Sequence, residues 1–343
     1  MQMEQYSEEN RKLYPLRFIE AGRDLFWGHL DYCISDDAVV DTVVRDGWLG
    51  GNTLGELLRT FHERIAGDNV FDSFGFQFPV MVNRQRFLER QPLTIGLSDE
   101  AAIDCFDSLG KKALWYIRKA QPGAVIHLGF SRDLDAGELW RRCADGTVEE
   151  VLNAVHPKEG EFYLVNPGTV YSCGPGLDIV EIAEDSVMSN ELYNWGRDIP
   201  GEEPLLLDQS LAFIDYSRLE PKPLEGDVLA SGPEFHANRV ELKAPVHIST
   251  GSDDTFNIYC CLAGEASLQY QDGEGEMKEL VLPEGDTVML PPEIDDYYLA
   301  PLKAGTLLAE VFMERLEVAD PYLGGMADSD ETPEADPHEM TWS

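Results

Sequence analysis

Short apolar runs closed by glycine or proline recur along the second half of the chain. Their length and their alternation of apolar and polar residues are typical of half-buried β-strands. Turns are expected at Gly264 and at residues 272–275, because glycine and aspartate favour the dihedral angles of tight turns. The predicted strands are 239–242, 256–262, 266–270, 278–282, 287–290 and 307–312.

One turn–strand–turn pattern occurs in each half of the chain. Residues 158–161 form an acidic glycine turn before the apolar run 162–165, and residues 283–286 form another before the run 287–290. A proline-containing turn follows each run, and short strands at this spacing are typical of jelly-roll barrels. The sequence therefore predicts a mainly β protein made of two tandem jelly-roll barrels of the cupin type. Further strands are expected at 170–171, 178–182, 297–300 and 306–312.

The first half also contains stretches with helical periodicity. An apolar stripe runs through residues 53–66, and Gly67 follows it, which predicts one amphipathic helix. A second helix is predicted at 99–109 with Ser98 as its N-cap. A capping-box pattern at 147–150 predicts a short third helix. The stripe of the first helix consists of Leu54, Leu57, Leu58, Phe61 and Ile65.

Composition divides the chain into four parts. Residues 1–216 are predicted to form an N-terminal cupin-like domain with helical insertions, and residues 235–318 a C-terminal cupin barrel. The proline-rich stretch 217–234 is the predicted linker between them. Residues 319–343 are acidic, and residues 326–337 among them contain almost nothing apolar, so we expect 319–343 to form a disordered tail.

The charge of the chain bears on its partners and location. Its 343 residues include 64 acidic and 26 basic ones, for a net charge of −38. A surface this negative repels nucleic acid and anionic lipid, so neither is expected as a partner. No apolar run reaches the roughly 20 residues that cross a bilayer, and the N-terminus lacks a signal-peptide pattern. Six scattered cysteines without C-x-x-C pairs are typical of a reducing compartment, so we expect a cytoplasmic protein.

Several motifs occur together in the order and spacing of one enzyme family. On these motifs the chain resembles a class I, cupin-type mannose-6-phosphate isomerase of the short bacterial form. The resemblance runs from about residue 13 to residue 316, nearly the whole chain. The motifs are Phe26-Trp27-Gly28, Phe78-Pro79, LTIGLS at 93–98, GKKALWY at 110–116, PGTVY at 167–171, VEI at 180–182 and LYNWGR at 192–197.

The resemblance implies one zinc ion in the first barrel, which serves the interconversion of mannose 6-phosphate and fructose 6-phosphate. Zinc needs about four N, O or S ligands, and the family supplies them as a glutamine, a glutamate and two histidines. The matching positions here are Gly96, Ser98, Ala113 and Tyr171, and Glu191 stands where the family has an arginine. We therefore predict no metal cofactor and a catalytically degenerate member of the family.

Four further residues are candidates for contact with a sugar: Lys111, Glu181, Ser186 and Trp27. Lys111, Glu181 and Ser186 match residues of the family, and Lys111 and Glu181 would be the acid and base of any chemistry that remains. Each candidate also has a structural interpretation. Lys111 could be a surface lysine, Glu181 a carboxylate held by hydrogen bonds, and Trp27 part of an aromatic core.

Three functions stay open on the sequence. The first is a non-catalytic relative that binds a small sugar or sugar phosphate, or regulates a protein partner that the sequence does not identify. The second is an active isomerase that uses a relocated metal site, or Glu181 and Lys111 without a metal. The third is a structural or interaction protein with a closed barrel, in which Tyr171 fills the vacated metal space. Candidate ligands for a relocated metal are His29, His127, Cys173, Glu184 and Asp185.

Overall fold

The computed structural model describes residues 11–37, 39–106, 109–186, 189–198, 205–250 and 255–314. These residues form a mainly β structure whose strands pair antiparallel. The strands of the first half are β1 (Phe18–Ile19), β2 (Ala21–Leu25), β3 (Gly28–Ile34), β4 (Asp36–Asp37), β5 (Val40–Asp41), β6 (Val43–Val44), β7 (Val80–Phe87), β8 (Leu93–Gly96), β9 (Ala113–Ala120), β10 (Ile126–Phe130), β11 (Leu152–Val155), β12 (Phe162–Val165), β13 (Val170–Cys173), β14 (Leu177–Glu184) and β15 (Ser189–Tyr193). Those of the second half are β16 (Val228–Ala230), β17 (His236–Leu242), β18 (Val246–Ser249), β19 (Asn257–Ala263), β20 (Glu265–Gln271), β21 (Met277–Pro283), β22 (Thr287–Leu290), β23 (Asp296–Pro301) and β24 (Thr306–Phe312).

The helices of the described residues all precede β16. They are α1 (Leu54–Phe61), α2 (Glu63–Ala66), α3 (Asp68–Phe74), α4 (Asp99–Phe106), α5 (Ala136–Asp145) and α6 (Leu207–Ser210), with 3-10 turns at Val148–Val151 and Leu211–Phe213. None of these helices has the length and apolar character needed to cross a membrane.

Four sheets account for most of the strands. The outer N-terminal sheet has the order β11-β10-β13-β8-β15, and the inner N-terminal sheet has the order β12-β9-β14-β7-β3-β2. The inner C-terminal sheet has the order β16-β17-β24-β19-β22, and the outer C-terminal sheet has the order β18-β23-β20-β21. Sequence neighbours are often separated within a sheet, so the pairing depends on long-range contacts.

Three apolar cores join the sheets into layers. One lies between the two N-terminal sheets and includes Trp115, Ile126 and Ile179. A second lies between the two inner sheets and also packs helix α1 against them, through residues such as Leu57. The third lies between the two C-terminal sheets and includes Tyr297. Burial of these side chains, at roughly 25 cal/mol per Å² of apolar surface, is the main force that holds the sheets together.

The strand predictions are largely confirmed. Both copies of the repeated pattern fold as expected, because β12 and β22 coincide with the predicted strands 162–165 and 287–290. In the second half every predicted strand is present, with ends that differ by up to three residues. The strand Val246–Ser249 lies outside the predicted ranges. Its apolar and polar residues alternate over only four positions, which is too short a pattern to indicate a strand.

The helix predictions are confirmed only in part. The apolar stripe of α1 is buried and Thr53 caps the helix with Glu56 as a capping box. However, the predicted helix 53–66 is interrupted at His62, whose φ of 51° ends α1 before α2 begins. The capping box predicted at Thr147 is wrong, since no side-chain bond caps the 3-10 turn that follows it.

The two closed barrels of the sequence prediction are not confirmed. None of the sheets among the described residues is closed, and each half is a pair of facing sheets with free edges. The predicted linker 217–234 contains β16, which pairs with β17 of the inner C-terminal sheet. The predicted tail at 319–343 lies outside the described residues, and the domain boundaries stay a prediction.

Candidate functional site

A cavity of about 300 Å³ lies between the two N-terminal sheets. It brings together several residues that the sequence singled out, and its wall mixes charged, amide, hydroxyl and aromatic side chains. Both N-terminal sheets therefore contribute to one polar site. The lining residues are Arg23, Leu25, Trp27, Leu30, Tyr32, Met81, Asn83, Gln85, Gln91, Thr94, Lys111, Tyr171, Glu181, Ser189, Glu191 and Leu206.

A row of cross-strand neighbours forms the inner wall. Tyr32 of β3 is paired with Asn83 of β7, and Glu181 of β14 stands in register between Asn83 and Trp115 of β9. Directly opposed residues of an antiparallel sheet point to the same face. The pairing of these four strands therefore gathers the polar groups at one place.

A second row forms the outer wall. Thr94 of β8 lies in register between Tyr171 of β13 and Glu191 of β15. All three side chains line the cavity. Strand β8 lies between β13 and β15 in this sheet. This arrangement brings Tyr171 and Glu191 to opposite sides of Thr94, although they are twenty positions apart in the sequence.

Glu181 and Lys111 are the charged centre of the cavity. The Nζ atom of Lys111 lies 3.5 Å from Oε1 of Glu181, and only 8% of Lys111 and 4% of Glu181 is exposed. Lys111 also donates a hydrogen bond of 2.8 Å to the backbone carbonyl of Ser186. Buried charges of opposite sign need such partners, because desolvation of an unpaired charge is costly.

The carboxylate of Glu181 is held at both oxygens. Its Oε1 accepts a hydrogen bond of 2.9 Å from Nδ2 of Asn83, and its Oε2 accepts one of 2.8 Å from Nε1 of Trp115. Gln85 continues the network by donating to Oδ1 of Asn83 over 3.0 Å. These donors fix the position of the carboxylate within the inner wall.

Among the four positions that the resemblance assigns to zinc ligands, Tyr171 is the one whose side chain lines the cavity. Gly96 is buried at the end of β8, and Ala113 is buried in the apolar core at the start of β9. Ser98 is exposed, and its Oγ accepts a hydrogen bond of 3.4 Å from the N–H of Ala101, which confirms it as a cap of α4.

The residues of the cavity do not fit a zinc ion. Zinc is held by histidine, cysteine and carboxylate groups in tetrahedral arrangement, whereas the lining offers the carboxylates of Glu181 and Glu191 and no histidine or cysteine. Throughout the described ranges, no group of three or more His, Cys, Asp or Glu side chains is placed to hold a metal.

The residues considered for a relocated metal site are engaged elsewhere. The ring nitrogens of His29 contact Asp24 at 2.5 Å and Asp31 at 2.8 Å, and these bonds raise the pKa of His29. Burial, with the nearby Arg90, lowers the pKa of His127 to about 4. Burial raises the pKa of the Cys173 thiol. Glu184 and Asp185 are buried at the end of β14, away from both histidines.

Tyr171 forms part of the wall and leaves the cavity open. Its ring meets that of Trp115 edge to face, with centroids 5.2 Å apart. Burial raises the pKa of Tyr171 well above its ordinary value, and burial also raises the pKa of Tyr32 to about 12. Both phenols are therefore neutral at physiological pH and can donate a hydrogen bond.

Trp27 and Ser186 take different roles around the cavity. The ring of Trp27 stacks on Phe87 with centroids 4.9 Å apart, and the remaining 6% of its surface lines the cavity. Ser186 holds Lys111 through its backbone carbonyl. Trp27 therefore combines the core position and the cavity contact that the sequence left as alternatives.

Sequence reasoning missed Asn83 and Gln85. Both are polar residues two positions apart on β7, and Met81 precedes them on the same face of the strand. A period of two that places polar residues at the face of a buried strand indicates a polar interior. This pattern between the motifs at 78–79 and 93–98 was the available sign of the inner wall.

Three carboxyl groups with raised pKa values lie at the end of β14: Glu184, Asp185 and the neighbouring Asp36. Asp185 accepts hydrogen bonds from Oγ of Ser35 at 2.8 Å and from the N–H of Asp36 at 2.7 Å. Burial and the neighbouring Asp36 raise the pKa of Asp185 well above its ordinary value, and burial raises the pKa of Asp36 to about 6. Burial likewise raises the pKa of Glu184 to about 9.

These raised pKa values predict that the protein loses stability as the pH rises from about 5 to 9. The folded chain holds protons on Asp36, Asp185 and Glu184 that the unfolded chain releases near pH 4. Glu184 lowers the free energy of unfolding by about 1.4 kcal/mol per pH unit up to about pH 9 and Asp185 acts in the same direction, whereas Asp36 contributes only up to about pH 6. Urea unfolding at a series of pH values measures the slope.

Asp185→Asn should flatten this slope by about one proton, because it removes the most buried of the three groups. Asp72→Asn, which makes the same change at an exposed helical position, is the matched control and should leave the slope as it is. Equal slopes in the wild type and Asp185→Asn would contradict a protonated carboxyl at this position.

Comparison with known proteins agrees with this architecture. No family model matches the chain. The mannose-6-phosphate isomerase of Streptococcus mutans is 24% identical over 266 residues, which cover 75% of this chain and 80% of that protein. The mannose-6-phosphate isomerase ManA of Bacillus subtilis is 28% identical over 284 residues, which cover 75% of this chain and 82% of that protein.

Solved structures share the fold. The mannose 6-phosphate isomerase from Bacillus subtilis superposes with a TM-score of 0.75 at 21% identity, over 88% of this chain and 99% of the other. A putative mannosephosphate isomerase from Archaeoglobus fulgidus gives 0.71 at 15% identity, over 89% and 99% of the two chains. By its motifs and its relatives the chain is similar to mannose-6-phosphate isomerases, and its paired antiparallel sheets share the fold of their solved structures.

Proposed function

We propose that the chain is a catalytically silent member of this family that keeps a sugar-binding cavity without a zinc ion. The observation that carries the proposal is the loss of donors at the family's ligand positions, now Gly96, Ser98, Ala113 and Tyr171. Without four N, O or S donors no zinc ion is held, and the sugar's carbonyl is then not polarised for enediol formation.

A retained cavity supports binding as the remaining function. Its volume of about 300 Å³ is at the lower end of the range for small-molecule sites. Amide, phenol and indole side chains line it, and such groups recognise the hydroxyls and the apolar surfaces of sugars. A protein that binds a sugar without converting it could act as a sensor of that sugar or as a partner that regulates another protein.

The alternative of a metal-free isomerase rests on the same two charged residues. Proton transfer between C1 and C2 of a sugar would need Glu181 as base and Lys111 as acid. Their separation of 3.5 Å places them together at the cavity. Both oxygens of Glu181 already accept hydrogen bonds from Asn83 and Trp115, so a substrate proton would have to compete with these donors, which favours the non-catalytic function.

We expect the purified protein to interconvert mannose 6-phosphate and fructose 6-phosphate no faster than a buffer blank, with or without added zinc. The reason is the missing ligand set. A coupled assay measures turnover, and elemental analysis measures zinc per chain, which should be far below stoichiometric. The Bacillus subtilis mannose-6-phosphate isomerase ManA provides the positive control.

Two results would decide for an enzyme instead. Turnover abolished by a chelator would establish a metal site that the described residues do not reveal. Turnover insensitive to a chelator and lost in Lys111→Met would establish the metal-free reaction at Lys111 and Glu181.

We further propose that each pair of facing sheets is one jelly-roll barrel of the cupin type. The proposed boundaries are residues 1–216 and 235–318, joined by the linker 217–234. The separate apolar core within each pair of sheets supports this division.

A further inference from the structure

The charged groups of the cavity balance one another. Arg23 and Lys111 supply two positive charges, and Glu181 and Glu191 supply two negative charges. A phosphate dianion is bound well where basic groups outnumber acidic ones or where several N–H groups converge. The charges that line this cavity provide no such excess.

The positive charge of Lys111 is already in use. Its Nζ donates to the carbonyl of Ser186 at 2.8 Å, lies 3.4 Å from Sδ of Met81, and is 3.5 Å from Oε1 of Glu181. An ammonium group has three donors, and these contacts account for all three directions. A phosphate could reach this ammonium only by displacing one of its present partners.

Arg23 and Glu191 add no net attraction for an anion. Arg23 is exposed on β2, the edge strand of the inner sheet, where water screens its charge. Glu191 stands on the outer wall, at the position where the resemblance places an arginine. At that wall a phosphate would meet a carboxylate instead of a guanidinium.

The charge of the whole chain acts in the same direction. A net charge of −38 produces a negative potential around the molecule, which lowers the local concentration of anions and slows their approach. An uncharged ligand is not subject to this effect. The long-range field and the groups inside the cavity thus both favour an uncharged ligand over an anion.

Neutral hydrogen-bonding groups remain available to a ligand. Tyr32 and Tyr171 line the cavity, and within the described part of the chain neither hydroxyl is hydrogen-bonded to another group. The indole of Trp27 offers part of an apolar surface beside them. Such a set recognises a polyhydroxylated ring through hydrogen bonds and ring stacking.

We infer that the cavity selects an uncharged sugar over a sugar phosphate. The inference rests on the proposed sugar-binding function and specifies the ligand class of that same site. It differs from the phosphorylated substrates that the names of the relatives indicate.

Isothermal titration with free mannose, free fructose and their 6-phosphates tests the selection. We expect at least one free sugar to bind at least ten times more tightly than its 6-phosphate, and inorganic phosphate not to bind. Tyr171→Phe should weaken the free sugar about tenfold, because one donor is lost. A thermal shift of this variant without ligand shows whether it is folded.

The Glu191→Gln variant removes the charge of the side chain and nearly keeps its shape, so it tests the effect of charge on ligand selection. It should raise the affinity for the 6-phosphate several-fold relative to the affinity for the free sugar, because it removes a negative charge from the outer wall. Glu220→Gln makes the same change at a residue outside the cavity that is 60% exposed, and it should alter neither affinity.

The outcomes test the selection of an uncharged sugar separately from the proposed sugar-binding function. If a 6-phosphate binds more tightly than its free sugar, the selection is refuted and the sugar-binding function stands. If neither sugar nor 6-phosphate binds at millimolar concentration, both are refuted.

Discussion

Replacing Glu181 by alanine will destabilise the protein by about 3–5 kcal/mol, the usual cost of removing one partner of a buried ion pair. The substitution leaves the ammonium of Lys111 buried without a counter-charge. It also removes the acceptor of Nε1 of Trp115 and of Nδ2 of Asn83. The midpoint of urea unfolding, followed by tryptophan fluorescence and circular dichroism, measures the loss.

An exposed ion pair provides the matched control. Glu220 lies 2.6 Å from Arg218, and both side chains are more than half exposed. Glu220→Ala should therefore cost no more than about 1 kcal/mol. If Glu181→Ala costs no more than this control, the carboxylate of Glu181 does not hold the inner wall together.

A double substitution tests whether the two charges depend on each other. Lys111→Met and Glu181→Gln each leave one buried charge without its partner, whereas the two together leave neither. The double variant should therefore be more stable than the sum of the single losses predicts, by about 1–3 kcal/mol. Additive losses would show that hydrogen bonds, and not the ion pair, stabilise Glu181.

The sequence predicted the strands well because their signal is local. The runs at 162–165 and 287–290 lie between glycine and proline turns, so both of their ends are specified by neighbouring residues. Helix boundaries were less predictable. The apolar stripe continues past His62 to Ile65, and the φ of 51° at His62 separates α1 from α2, which no periodicity of apolar residues indicates.

The arrangement of the sheets could not be derived from the same patterns. Strand β14 lies between β7 and β9, which precede it by many residues, and no local pattern specifies that pairing. Such contacts arise from the burial of a common core. The layered order of the four sheets is therefore a result of the structure alone.

The candidate site shows the same division between local and long-range information. Motifs located Lys111 and Glu181 in the sequence, and the structure places them 3.5 Å apart. The partners Asn83 and Trp115 depend on register, because each stands opposite Glu181 on a neighbouring strand. A shift of one residue in either strand would turn those side chains to the other face.

Gly96, at a position that the resemblance assigns to a zinc ligand, leaves no room for a larger side chain. A Cβ atom at this position would lie 2.5 Å from the backbone oxygen of Lys111 and 2.9 Å from its Cβ. The N–H of Lys111 bonds to the carbonyl of Leu97, and the carbonyl of Gly96 accepts from the N–H of Gly168. Both sides of the contact are thus fixed by backbone hydrogen bonds, so neither can move away cheaply.

Gly96→Gln, which introduces the family's residue, should therefore destabilise the protein by about 1–3 kcal/mol or more, as expected for overpacking of a close-packed interior. The urea midpoint measures the loss, and zinc binding should not appear in the variant.

Gly137→Gln is the matched control, because Gly137 is exposed in α5 and the nearest atom to an added Cβ is the carboxylate tip of Asp135, 3.2 Å away. Glutamine is the better helix former, so this control should be neutral or stabilising by up to about 1 kcal/mol. If the two substitutions have equal effects, the close approach of Lys111 to Gly96 does not constrain the site. A larger loss for Gly96→Gln would mean that the backbone around Gly96 excludes a glutamine side chain. A glutamine ligand could then be accommodated only if the segment at Lys111 moved relative to β8.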